Sequence, residues 1–378
     1  LSPEAALQIS DLLGDMTRSR DMLIEALHLI QDRFRCLGPD HLVALAEEFQ
    51  LALTEVFETA TFYHHFDVLE DGVSAPPEIT IRVCNSITCE MSGAKELISE
   101  LRDNLGDDVR ILTAPCMGAC DRAPAVAVGQ NQIVHATTDR IQSTVEAKDL
   151  KAVVPSHIDY ATYLVEGGYK TLKRCLTDEL TWEEVITTLE SSELRGLGGA
   201  GFPTGRKWRI VREFPGPRLM AVNADEGEPG TFKDRYFMER DPHRFLEGVL
   251  IGMWALEAGA CYIYLRDEYP AIRAILTNEI AKLEKTGLLK PGTLHLRRGA
   301  GAYVCGEESA MLESIEGKRG LPRHKPPFAA EVGLFGKPTL INNVETLFWI
   351  RDVLEKGPEW FSGHGRNGRK GLRTFSVS

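Results

Sequence analysis

No apolar run in this chain of 378 residues is both long enough to cross a bilayer and free of charge. The most apolar stretch, Gly248–Leu265, carries Glu257 in its interior and is interrupted by Gly252 and Gly259. A carboxylate at mid-bilayer depth is costly, so a buried helix followed by a buried strand accounts for the stretch better than a membrane span. Positive charge is also short, with 43 Lys and Arg against 55 Asp and Glu, a formal net charge of −12. An acidic surface repels phosphate backbones and anionic lipid, which sets nucleic acid and membrane aside as partners. Cysteine is sparse, eight in the whole chain, which is not the density of a disulfide-stapled scaffold. No secretory leader, internal repeat or low-complexity tract is visible, so a cytoplasmic protein is expected, although the sequence opens at Leu1 and a targeting segment ahead of it stays open. What remains is a globular composition, 43% hydrophobic and 26% charged, at a length that suits two or three domains.

The periodicities divide the chain. From Pro3 to Phe66 apolar residues recur at helical spacing, as in Asp21–Gln31; Gly38-Pro39-Asp40 breaks the run and offers Asp40 as the cap of the next helix. Asp71-Gly72 and Pro76-Pro77 mark a linker, so 1–75 is expected to form a helical bundle. A small α/β unit follows over 76–150, with strand Glu78–Cys84, helix Gly93–Leu105 and strands Val109–Ala114 and Ala125–Val128. Residues 151–195 read as a connector holding one helix, Trp182–Leu189. A larger α/β domain over 196–370 alternates strands Arg218–Val222 and Cys261–Leu265 with helices Phe245–Ala258 and Ala271–Lys285, the spacing of a mostly parallel sheet. Thr374–Ser378 reads as a strand cut midway, so 371–378 is expected to open a further C-terminal region.

Half of the cysteines fall in two tight pairs, Cys84-x4-Cys89 and Cys116-x3-Cys120, on loops that follow strands. Thiolates in such sets hold iron–sulfur clusters, whereas structural zinc usually prefers two-residue loops within each pair. Small or uncharged flanks (Ser86, Thr88, Gly93, Met117, Gly118) let backbone N–H groups approach cluster sulfurs. Zinc and two disulfides stand as alternatives, the latter requiring an oxidising compartment that nothing else suggests. The arrangement, together with Val56–Tyr63 and the Ala114–Cys120 loop, resembles the thioredoxin-fold [2Fe–2S] subunit of respiratory complex I over roughly residues 5–150. It implies that Cys84, Cys89, Cys116 and Cys120 ligate a [2Fe–2S] cluster.

Gly196-Leu-Gly-Gly-Ala-Gly201 matches G-x-G-x-x-G, with Asp225 downstream, yet a helical segment precedes it and Pro203 and Gly205 follow, unlike a dinucleotide fingerprint. In combination the signal is stronger. Arg195–Trp208, Asn223–Asp234, Gly299–Glu308 and Leu340–Thr346, in that order, resemble the NADH-oxidising flavin subunit of complex I and its soluble relatives over about 160–378. The fold class implied is α/β: a helical bundle plus a thioredoxin-like [2Fe–2S] domain, then a Rossmann-like flavin and NADH domain. By resemblance FMN contacts Gly196, Gly198, Lys207, Asn223, Asp225, Glu226, Tyr303, Gly306, Glu307, Asn342, Asn343 and Thr346. NAD would lie against it through Phe202, Glu228, Glu308, Lys325 and Phe328, with Glu228, Tyr303 and Glu308 at the hydride-transfer centre. The chemistry suits these types: glycines admit a close backbone, Lys207 offsets phosphate charge or stabilises reduced flavin, and amides serve ring edges and ribityl hydroxyls. The carboxylates Asp225, Glu226, Glu307 and Glu308 would repel phosphate and so are expected at hydroxyls or the carboxamide. Ile210 stands where many relatives carry an aromatic.

Blander readings compete for several residues. Gly317–Pro327 also reads as a solvated basic turn, Cys305 as a small buried residue, and His64-His65 as a helix end without metal. The fusion of both modules in one chain most resembles the diaphorase (beta) subunits of soluble NAD-dependent formate dehydrogenases. That implies a partner alpha subunit carrying a molybdenum- or tungsten-pterin centre and further iron–sulfur clusters, and a [4Fe–4S] site beyond Ser378. The diaphorase subunit of an NAD-coupled hydrogenase, which fuses the same modules, and a non-catalytic electron-transfer module are the alternatives.

Overall fold

The computed structural model describes residues 2–377. Four helices open it: α1 (Pro3–Leu13), α2 (Leu23–Phe34), α3 (Pro39–Phe49) and α4 (Leu53–Phe62). Ser2 accepts from the Ala5 N–H and Pro3 fills the first turn of α1, where a missing N–H costs nothing. At α3 the cap differs from expectation. Pro39 takes the first turn after Gly38, so Asp40 lies inside the helix, its charge set against the dipole rather than on an N–H. Ile9, Leu27, Leu45 and Val56 close a core that also contains Tyr264, Met311 and Ile341 from the second half of the chain.

Next come β1 (Ile79–Cys84), α5 (Ile87–Met91), α6 (Ala94–Asn104), β2 (Val109–Ala114), β3 (Val126–Val128), β4 (Asn131–Ile133) and α7 (Thr138–Glu146). The sheet order is β2-β1-β3-β4, with β1 and β2 parallel and the other pairs antiparallel. Ile81 and Val83 enter the core with Leu97, Leu101 and Ile141; period-two alternation turns Thr80 and Arg82 to the opposite face. Because β1 runs parallel to β2 with Cys84 opposite Ala114, both cysteine-bearing loops leave the sheet at one end.

The stretch expected as a one-helix connector holds three helices, α8 (Tyr160–Val165), α9 (Lys170–Leu176) and α10 (Trp182–Ser191). The first two are too short to display an amphipathic repeat, which is why periodicity misses them. Buried Glu247 anchors them, accepting from the Tyr163 hydroxyl at 2.6 Å and from the Tyr169 and Leu172 N–H groups at 2.9 and 3.2 Å.

The remaining strands and α-helices are α11 (Thr204–Glu213), β5 (Arg218–Ala224), α12 (Lys233–Arg240), α13 (Pro242–Leu256), β6 (Ala258–Leu265), α14 (Pro270–Lys285), β7 (Leu294–Arg298), α15 (Glu308–Ile315), β8 (Thr339–Asn343), α16 (Val344–Phe348), α17 (Ile350–Lys356) and α18 (Pro358–Ser362). The apolar stretch is α13 turning through Glu257, at φ 50°, into β6, and among the described residues no helix is long and apolar enough to cross a membrane. The sheet order is β7-β6-β5-β8, all parallel. From β5 the chain proceeds to β6 and β7 on one side and returns as β8 on the other. This reversal opens a crevice beyond the C-terminal ends of β5 and β8, the usual ligand position in an open α/β sheet. The expected terminal strand is not formed at 373–377. That segment lies instead against the flavin-motif loops, its Thr374 N–H on Glu345 at 2.8 Å and its Ser376 hydroxyl accepting from the Phe232 N–H at 3.0 Å; Ser378 falls outside the described residues.

Candidate functional site

The crevice is floored by asparagines that parallel register sets side by side, Asn223 opposite Asn343 and Val222 opposite Asn342. Between α10 and α11 the glycine loop folds over this end. Gly196 N–H donates to the Phe202 carbonyl at 2.8 Å, and Leu197 N–H to the Thr346 hydroxyl at 2.9 Å. A Cβ on Gly198 would stand 3.1 Å from the Asn343 Cβ, so glycine lets the loop lie down on β8.

Several residues expected to contact cofactor directly are engaged by the protein itself. The Asn342 side-chain carbonyl accepts from Trp208 Nε1 at 2.9 Å. Asn343 caps α16 through Glu345 N–H at 3.0 Å and donates to Asp234 at 2.6 Å. Glu226 accepts from the Asp234 and Arg235 N–H groups at 2.9 and 3.1 Å and from the Tyr269 hydroxyl at 3.0 Å. Glu307 caps α15 through the Ser309 and Ala310 N–H groups. Asn223 Nδ2 holds the Gly306 carbonyl at 2.9 Å, tying the two motifs together. Lys233 Nζ donates to the Asn343 side-chain carbonyl at 3.1 Å. These contacts make the motifs rigid; sequence reading misses Trp208, Lys233, Asp234 and Glu345 as the partners, although all four lie inside the motifs it singles out.

Other groups face the opening. Phe202, Tyr303 and Phe328 are exposed aromatics, at 43%, 66% and 59%, where an unliganded core would hide them. The Tyr303 hydroxyl donates to Glu228. Lys207 lies 3.6 Å from Glu308, and Lys325 bridges Glu308 and Glu307 at 2.8 and 3.1 Å. Burial depresses the Lys207 ammonium pKa against the pull of Glu308, and burial pushes the Asp225 carboxyl up to about 7. Glu226 is also raised to about 7, by burial and then by the neighbouring Asp234 charge. The basic run 317–327 is more than a solvated turn, since Lys318 and Arg323 pair with Glu313 and Glu316 of the α15 end.

The four paired cysteines converge. Cys84 ends β1, Cys89 sits in α5, and Cys116 and Cys120 flank a tight loop after β2; all are 4% exposed or less. The Cys116 and Cys120 sulfurs are 3.3 Å apart, and Gly118 N–H points at Cys116 Sγ at 3.4 Å. Burial, then the Cys116 thiol, raises the Cys120 pKa, the state that a bound cation reverses by taking thiolates. Among the described residues the trio of potential ligands lying mutually within 4.8 Å is His28, His65 and Asp267. As four buried all-sulfur donors on two neighbouring loops, the cysteines suit a two-iron cluster. His65, following the end of α4, places Nδ1 2.8 Å from Asp267.

The two sites touch. Gly230 N–H, in the loop that carries Glu228, donates to Cys120 Sγ at 3.3 Å, and Arg235 pairs with Asp121 at 2.6 Å. Arg266 donates to the carbonyls of both Cys116 and Glu226. None of Arg235, Arg266 and Tyr269 stands out in the sequence, because an inter-domain contact leaves no periodic signal.

A buried four-sulfur site joined to a glycine-lined crevice at a parallel-sheet switch point defines a two-module redox protein. Comparison with known families agrees: residues 9–149 match the thioredoxin-like [2Fe–2S] ferredoxin model and 189–352 the Nuo51 FMN-binding domain model. The NAD-reducing hydrogenase HoxS subunit alpha of Cupriavidus necator is 32% identical, over 98% of this chain and 68% of its own length. The chain belongs to this family, in which a thioredoxin-like [2Fe–2S] ferredoxin domain is fused to a Nuo51-type FMN-binding domain. An NADH-quinone oxidoreductase subunit of Aquifex aeolicus is 47% identical over 57% of this chain, and the match spans about half, 52%, of that relative. The crystal structure of an air-oxidized NAD+-reducing [NiFe]-hydrogenase superposes with a TM-score of 0.80 at 30% identity, over 94% of this chain and 65% of that one.

Proposed function

We propose that this chain is a diaphorase that exchanges hydride with NAD(H) at FMN and single electrons with a [2Fe–2S] cluster held by Cys84, Cys89, Cys116 and Cys120. The observation that carries the reading is the Gly230–Cys120 contact, which puts the nucleotide loop and the cluster loop within one hydrogen bond of each other. When bound, FMN supplies hydride exchange with nicotinamide and release of electrons one at a time. The chain's own residues orient and screen. Lys207 offers positive charge to a phosphate or a reduced ring, and the glycines at 196 and 198 keep side chains out of the way. Glu228, steadied by Tyr303, and Glu308, flanked by two lysines, offer carboxylate oxygens to hydroxyl or carboxamide donors. Exposed Phe202 and Phe328 suit stacking on adenine. Asp225 and Asn223 stand at the C-terminal end of β5, beside Gly306, for polar atoms of the ring and ribityl chain. The complete set of Gly196, Gly198, Phe202, Lys207, Asn223, Asp225, Glu226, Gly306, Glu307, Lys325, Phe328, Asn342, Asn343 and Thr346 forms the cofactor pocket in this reading, with Asn342, Asn343, Glu226 and Glu307 acting as positioning residues.

For the partner, the fusion and the wording of Asp21–Gln31 and Leu194–Trp208 support a formate dehydrogenase alpha subunit with a Mo- or W-pterin centre in the cytoplasm. Similarity to HoxS subunit alpha along nearly the whole chain supports a hydrogenase partner equally. The reading also includes a [4Fe–4S] site on sequence outside these 378 residues, as the resemblance implies. NADH-driven reduction of ferricyanide by purified protein reconstituted with FMN, iron and sulfide tests the activity, and metal analysis of the co-purified complex separates the partners. Molybdenum or tungsten supports formate, nickel supports hydrogen, and no NADH-driven reduction contradicts the diaphorase itself.

A further inference from the structure

A cavity of about 360 Å³ lies where the three parts of the chain meet, bounded by the end of α2, the β1–β2 face opposite the core, and the ends of β6 and β7. Its carboxylates are already answered. Asp32 and Asp267 both pair with Arg298, Glu268 pairs with Arg266, and Glu78 pairs with Lys148. One of its guanidiniums, Arg110, is held bidentate by Asp67 at 2.7 and 2.9 Å. Arg82 is different. It projects from β1 on the face opposite Ile81 and Val83, lines the cavity half-buried, and meets Asp67 and Asp267 only through space, without a hydrogen bond to either. Exposed Arg35 lines the same cavity from the end of α2.

A partly desolvated guanidinium without a hydrogen-bonded counter-charge is costly, and a ligand that supplies two acceptor oxygens removes the cost. The neighbouring trio of His28, His65 and Asp267 invites a cation instead. Arg298 already occupies Asp267 and adds positive charge there, so a divalent ion would meet repulsion. The balance of free groups therefore selects an anion.

We propose that this cavity binds a small phosphate-class oxyanion, with the Arg82 guanidinium as the principal donor and Arg35 as the second. The site stands independently of the diaphorase reading, but its consequence rests on it. Pro115 and Met117, which flank Cys116, line the same cavity. Negative charge placed there opposes the electron that reduces the cluster, and by reciprocity reduction weakens anion binding.

Isothermal calorimetry of inorganic phosphate with the FMN- and cluster-loaded protein, under saturating NAD+ to occupy the nucleotide crevice, tests the site. The expected result is saturable binding by wild type, weakened about tenfold or more in R82Q, as loss of one charge-assisted hydrogen bond implies. Unchanged cluster absorbance shows that R82Q has folded; should it lose the cluster, exposed Arg35→Gln gives the same test at smaller amplitude. No saturable heat with wild type, or equal affinity in the variants, overturns the site. A cluster midpoint that falls with phosphate in wild type but not in R82Q supports the redox linkage; a midpoint unmoved while phosphate binds overturns that linkage and leaves the site standing.

Discussion

Gly230 N–H points at the Cys120 sulfur at 3.3 Å, across the boundary between two separately cored parts of the chain. Gly230 has φ 85°, a left-handed conformation that glycine adopts without strain and that aims its N–H at the sulfur. Glu228, on which Tyr303 leans, lies two residues earlier. An N–H donor to a ligating sulfur favours the reduced cluster, because the added electron increases charge on sulfur. Pulsed EPR of the reduced cluster after exchange into D2O should therefore show a strongly coupled exchangeable deuteron from the flavin domain. It should weaken when Asp121→Asn loosens the Arg235 pair that holds the loops together. The same variant should cost about 1.5–3 kcal/mol in stability, since it leaves a buried guanidinium with a weaker acceptor.

Gly118 is constrained from both sides. Its φ is 68°, and a Cβ would stand 2.2 Å from the Tyr269 hydroxyl. Gly118→Ala should separate the cluster loop from the flavin domain, lowering bound iron and the unfolding midpoint together. Iron content and differential scanning calorimetry check this; an alanine variant with full iron would mean the loop has room that this packing denies.

Glu247→Ala should destabilise by about 3 kcal/mol or more, because it strands the Tyr163 hydroxyl and the Tyr169 and Leu172 N–H donors in the core. Urea denaturation measures it directly. The effect should be far larger than for exposed Glu359→Ala, which lies within about 0.5 kcal/mol of wild type.

The contribution of Asp225 to stability should fall as pH rises towards neutrality. Asp225 is raised to about 7, above its value in an unfolded chain. Between those two values the folded state holds a proton the unfolded state has released, so this group favours folding at low pH and that contribution is lost as pH climbs through about 7. In flavin-free protein, Asp225→Asn should flatten the drop in thermal midpoint between mildly acidic and mildly alkaline buffer. An unchanged slope would place the titration elsewhere.

Tyr303→Phe removes a hydroxyl from an exposed residue, so the unfolding midpoint should stay at the wild-type value while KM for NADH rises through loss of the Glu228 contact. A midpoint shift without a kinetic change would give Tyr303 a structural role instead.

Much of this is legible in the sequence, for identifiable reasons. The paired cysteines and the alternating strands and helices are local patterns, and the structure forms β1, β2, β5, β6, α10, α13 and α14 within a few residues of the spans read from them. Asp40 reads as a cap because aspartate caps well, but Pro39 preorganises the first turn and displaces it inward. Helices α8 and α9 escape a sequence reading because their stability comes from buried Glu247, about seventy to ninety residues away, rather than from their own periodicity. Asn342, Asn343, Glu226 and Glu307 sit in the expected motifs, yet their hydrogen bonds run into the protein, and no spacing rule distinguishes a contact residue from one that holds a contact residue in place. Arg266 and Tyr269, which join the two loops, are visible only once the chain is folded.

The central claim is that the crevice and the cysteine site form one electron path. An anaerobic NADH titration of the FMN- and cluster-loaded protein, followed by absorbance and EPR, tests it most directly. The account predicts bleaching of flavin absorbance, then the signal of a reduced [2Fe–2S] cluster that Cys120→Ser alters or abolishes. Flavin that stays oxidised under excess NADH would contradict the account.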